Sequence, residues 1–124
     1  MANPLRDAPV APTKGDRVRA AVRRALHTVM NLDPNVNELF SDHVDTSKYT
    51  DYLEMVEVPM YLSLIQKRLR SNYYTNKLSI IADMELMKEN CYKYNEDGND
   101  IFELACQLYS KFKSLVDAIE EDDV

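Results

Sequence analysis

From Asn90 to Ile101 the chain reads Asn-Cys-Tyr-Lys-Tyr-Asn-Glu-Asp-Gly-Asn-Asp-Ile, an apolar helical pattern that ends in a Tyr-Asn pair, crosses an acidic turn and restarts at an isoleucine. Asparagine is a poor helix-interior residue because its amide competes for backbone hydrogen bonds. At a helix end the same amide offers a donor and an acceptor to one ligand. The segment therefore reads as a binding site between two helices, with Asn95 as its polar centre and Tyr94 and Ile101 beside it. Catalytic chemistry has less to work with. His27 and His43 accompany no recognisable Ser or Cys nucleophile motif and no His-Glu metal spacing, so both read as surface or packing histidines and the chain reads as a non-enzyme. Asp97 and Asp100 match no calcium loop and are explained by a solvated turn, and no cofactor is expected.

The elements that must position this site are helical. Val18, Ala21, Val22, Ala25, Leu26, Val29 and Met30 recur at three- and four-residue spacing and predict a first helix over about 15–31. Residues 32–59 break that period, with Pro34 and scattered apolar anchors at Leu39, Phe40, Val44, Tyr49, Tyr52, Leu53, Met55 and Val58. So long a connection in a small domain is expected to be functional and to pack on the bundle. A second helix is expected over about 60–71 and a third over about 77–94, where Ile80, Met84, Met87, Cys91 and Tyr94 keep a four-three spacing. Ile101, Leu104, Ala105, Leu108, Phe112, Leu115, Val116 and Ile119 predict a fourth over about 100–119, with Gly98 in the turn before it and Asn99 or Asp100 as its cap.

With 124 residues and 45% hydrophobic content the chain can bury one core. Proline at 4, 9 and 12 marks residues 1–13 as a flexible leader; 14–120 is read as the folded domain and 121–124 as an acidic, solvated tail. No stretch is apolar enough for a membrane span or a signal peptide, so a soluble intracellular protein is expected. Cys91 and Cys106 fit neither a zinc spacing nor a disulfide framework. A net charge of -6 argues against a general phosphate-binding surface and favours a basic peptide partner. The basic stripe from Lys14 to Arg24 would touch nucleic acid only as an auxiliary surface.

Over roughly residues 15–119 the chain resembles the bromodomain family, the readers of acetylated lysine. The resemblance is carried by Asp51-Tyr52-Leu53, Val58-Pro59-Met60, Tyr73-Tyr74, Tyr94-Asn95 and Ile101, in that order. It implies an all-α, left-handed four-helix bundle in which the long first connection and the turn before the last helix line a pocket at one end. It further implies that Asn95 hydrogen-bonds the acetyl carbonyl and that Tyr52 is the pocket tyrosine, reaching the same oxygen through water. Ile101 would be the gatekeeper, with Val44, Cys91 and Tyr94 as walls and Phe40, Leu39 and Tyr49 on the long connection completing the site. The segment from Arg68 to Tyr74, and Glu38-Leu39-Phe40 as a divergent form of the shelf that opens the long connection in the family, resemble the bromodomains of WD-repeat proteins.

Such a pocket has a clear physical logic. Acetylation leaves lysine with a neutral amide on a four-carbon stem, which needs an apolar channel ending in a polar contact. Asp42, Asp45, Asp51, Glu54, Glu57, Glu96, Asp97 and Asp100 would give the mouth a negative rim suited to histone tails. The implied partners are an acetylated histone peptide and small-molecule acetyl-lysine mimics, bound by a monomer in the nucleus. The chain also departs from the family: Glu38-Leu39-Phe40 stands where many members have Trp-Pro-Phe, the connection is shorter between Val44 and Tyr52, and Tyr61 replaces an Asp cap, leaving Ser63 as the weaker candidate. The alternative reading is a helical protein-interaction scaffold whose pocket does not bind acetyl-lysine.

Overall fold

A computed structural model describes residues 14–95 and 100–120. The expected leader and acidic tail, and the turn residues Glu96, Asp97, Gly98 and Asn99, lie outside them. Six helices are present among the described residues: α1 (Lys14–Met30), α2 (Asn35–Phe40), α3 (Tyr52–Met55), α4 (Leu62–Arg70), α5 (Lys77–Asn95) and α6 (Asp100–Asp117). The fold is an all-α bundle. Helices α1, α4, α5 and α6 are the four expected from periodicity, while α2 and α3 are short helices inside the long connection.

The core forms where the apolar stripes converge. Val22 and Leu26 of α1, Ile65 of α4, Met84 of α5 and Leu108 and Phe112 of α6 have essentially no solvent exposure. Helix α6 packs on both α5 and α1, and α4 packs on α1 and α5. Truncating a buried aromatic such as Phe112 to alanine would cost about 3–5 kcal/mol. In the long connection, Phe40 and Tyr52 are anchors as expected, but Leu39, Tyr49, Leu53, Met55 and Val58 are exposed and the remaining anchoring is done by Val36 and Val56.

Local signals set the helix ends. Asn72 adopts φ 58°, the left-handed conformation that ends a helix, and the Tyr73 N–H then donates to the Arg68 carbonyl at 2.9 Å. That reversal turns Tyr74 inward, where its phenol and Arg68 Nη1 both donate to Asp83 Oδ2, at 2.6 and 2.7 Å, joining α4 to α5. Asn76 Oδ1 accepts the Ser79 N–H at 2.9 Å and caps the start of α5.

Helix α4 begins differently from expectation. Tyr61 occupies its N-cap position without a side-chain cap, and Ser63 does not replace it. Instead the Ser63 N–H donates to the Ser41 carbonyl at 2.8 Å, so the end of α2 supplies the missing acceptor. This substitution pins the long connection to the bundle at one edge of the site.

Candidate functional site

A cavity of about 560 Å³ opens at the end of the bundle where α5 stops and α6 starts. All nine residues singled out from the sequence line it: Leu39, Phe40, Val44, Tyr49, Tyr52, Cys91, Tyr94, Asn95 and Ile101. Three elements bring them together. The four-three stripe of α5 carries Cys91 and Tyr94 to the helix end beside Asn95, the first residues of α6 bring Ile101, and the long connection folds back to supply the rest.

Depth differs among them. Phe40, Tyr52 and Cys91 are buried, Val44, Tyr94, Asn95 and Ile101 half-buried, and Leu39 and Tyr49 exposed at the mouth. The Tyr52 and Tyr94 rings meet edge to face at 5.1 Å, and Tyr49 approaches Tyr94 the same way at 6.2 Å, a geometry that aromatic quadrupoles favour. Tyr94 also donates its phenolic proton to Asp51 Oδ1 at 2.7 Å.

The inner walls are neutral. Burial, reinforced by nearby Cys91, holds the Tyr52 phenol above its ordinary value, and burial pushes the Cys91 thiol up to about 11. Donation to the Asp51 carboxylate raises Tyr94 to about 12. All three stay protonated at neutral pH, leaving no fixed charge on these walls. The charged side chains that line the cavity, Glu38, Asp42, Asp45 and Lys48, all come from the long connection and the end of α2 and are exposed. Hydrogen bonds from Ser47 hold the Asp45 carboxyl below the usual carboxylate range.

Asn95 is oriented before any ligand arrives. Its Nδ2 donates to the Cys91 carbonyl one turn back at 3.1 Å and lies 3.6 Å from Cys91 Sγ. The amide nitrogen carries two protons, and its acceptors are the Cys91 carbonyl and, more weakly, the Cys91 sulfur.

Of the acids expected at the rim, Asp42 and Asp45 line the cavity and Asp51 accepts the Tyr94 phenol beside it, whereas Glu54, Glu57 and Asp100 are exposed but do not line it. Glu96 and Asp97 lie outside the described residues. Residues not singled out as site-forming also matter. Pro59, Met60 and Met87 line the cavity, as do His43 and Tyr61. Asn90, only 3% exposed, donates Nδ2 to the Val58 carbonyl at 2.7 Å and holds the Pro59-Met60 wall against α5. Its signal in the sequence was an amide directly before Cys91, one of two on a helix striped with apolar residues.

The chain is thus an all-α bundle with a cavity at the end where α5 stops at Asn95 and α6 brings in Ile101. A family model described as Bromodomain matches residues 22–107, and the chain belongs to the bromodomain family, whose members are modules that bind acetylated lysine. Among curated proteins it is similar to "Transcription factor GTE1" of Arabidopsis thaliana, 38% identical over 63 residues. That match covers 51% of this chain and 16% of the relative, so the chain corresponds to a small part of that protein's length.

Proposed function

We propose that this domain reads acetylated lysine in histone tails and thereby brings a larger chromatin-associated protein to acetylated sites in the nucleus. The observation that carries the reading is Asn95, whose amide is oriented by the Cys91 carbonyl and lines the cavity together with the neutral side chains of Tyr52, Cys91 and Tyr94. Its second N–H would donate to the acetyl oxygen, and Tyr52 would reach the same oxygen through an ordered water. Val44, Cys91, Tyr94 and Ile101 would enclose the methylene stem, with Phe40, Leu39 and Tyr49 completing the site toward the mouth. An unmodified ammonium in that channel would lack a partner, at a cost of several kcal/mol. Modification state is thereby converted into affinity.

The nuclear setting is supported by the family and by the relative named as a transcription factor. The test is Asn95→Ala, with circular dichroism for the fold and titration for binding. Loss of about 1–3 kcal/mol, enough to abolish detectable binding of a weak ligand, is expected with helicity unchanged. A variant that binds acetylated peptide like the parent would reduce Asn95 to a helix-end residue and favour a scaffold role.

A further inference from the structure

The cavity is larger than an acetylated lysine requires. That side chain has only about eight heavy atoms, whereas 560 Å³ lies within the range that holds drug-sized ligands. The surplus space is bordered by a second aromatic pair. His43 and Tyr61 meet edge to face, with ring centroids 5.6 Å apart at 67°, and both line the cavity. Glu38 and Leu39, which also line the cavity, bring no ring to it before Phe40.

This pair is held in place from both sides. His43 Nδ1 donates to the Val44 carbonyl at 2.7 Å, which fixes the ring against its own backbone. Tyr61 sits at the N-cap of α4 on extended backbone with no side-chain cap bond. The Ser63 N–H to Ser41 carbonyl bond fastens the two segments together, and Ser63 Oγ donates to Asp42 Oδ1 at 3.4 Å. A planar cation suits such a place. Guanidinium stacks on aromatic faces and pairs with carboxylates, and three of the four fully charged side chains lining the cavity are the acids Glu38, Asp42 and Asp45. The fourth, Lys48, stands 5.5 Å over the Tyr49 ring.

We propose that His43 and Tyr61 form a mouth subsite that takes an arginine flanking the acetylated lysine, so that the domain reads a two-residue signal. The proposal rests on the acetyl-lysine reading of the inner cavity. It makes His43 and Tyr61 specificity-determining residues, with no part in holding the acetyl group.

The test titrates the parent, His43→Ala and the double variant His43→Ala/Tyr61→Ala with acetylated peptides that differ at one flanking position, Arg, Lys or Ala. That position is walked along both sides of the acetyl-lysine. Isolated N-acetyl-lysine methylamide, followed by NMR, reports the inner cavity alone. The parent is expected to favour the best-placed Arg peptide over its Ala and Lys counterparts by about three- to tenfold. The double variant should bind all three alike while still binding the methylamide. His43 is exposed, so His43→Ala keeps the fold and should by itself reduce the preference. Equal binding of Arg and Ala peptides by the parent, a preference that survives in the double variant, or equal gains from Arg and Lys would overturn the subsite. Failure of the methylamide to bind the parent would instead overturn the inner reading on which it rests.

Discussion

The phenol of Tyr94 and the carboxylate of Asp51 meet at 2.7 Å, joining the last turn of α5 to the residue just before α3. Two segments far apart in sequence are thereby closed around one cavity. The bond lies near its rim, and Tyr94 presents its ring to Tyr52 while its oxygen holds the loop.

Tyr94→Phe keeps the ring and removes the tie. Affinity for an acetylated peptide is expected to fall about two- to fivefold, with melting shifted by less than about 2 °C. Because donation to Asp51 raises the phenol to about 12, the bond is intact from pH 7 to about 10, and its contribution to binding should be flat across that window. Calorimetry at several pH values checks both points. An unchanged affinity in the variant would show that the loop holds its position without Tyr94.

Asn90 acts behind the cavity wall. Asn90→Ala removes the bond to the Val58 carbonyl and is expected to destabilise the domain by about 1–3 kcal/mol, read as a lower urea midpoint. Peptide affinity should fall with it, because Pro59 and Met60 follow Val58 directly and line the cavity. A midpoint equal to the parent's would mean that water satisfies the carbonyl as well as the amide does.

Cys91 should be chemically quiet. With its thiol pushed up to about 11 from an ordinary value of 9.0, the thiolate fraction at pH 8 falls about a hundredfold, and the side chain is also buried. Alkylation by iodoacetamide, followed by peptide mass spectrometry, should be at least that much slower in the native domain than in denaturant. Comparable rates in the two states would place Cys91 in an open, solvated wall.

The helices were legible in the sequence wherever one face is buried over several turns. In α5, Ile80, Met84, Met87 and Cys91 are all buried, as their spacing requires, and the stripe points to Tyr94 and Asn95 at its end. The residues that line the cavity were legible because their types and order resemble the family's. Short elements were not. Helices α2 and α3 span one turn or little more, too few residues to show a period, and their positions depend on tertiary contacts of Val36, Tyr52 and Val56. Exposed apolar residues such as Leu53 and Val58 look like anchors in a sequence because composition carries no direction. The start of α4 was misread at Ser63 because its acceptor, the Ser41 carbonyl, comes from backbone 22 positions earlier.

Calorimetric titration with two histone-tail peptides that differ only by acetylation of one lysine tests acetyl-lysine recognition most directly. The acetylated peptide should bind with a dissociation constant on the order of 10 µM to 1 mM, since a single side-chain pocket buries little surface, and the unmodified peptide should bind far more weakly. Equal affinity for the two would contradict recognition of the acetyl group at Asn95.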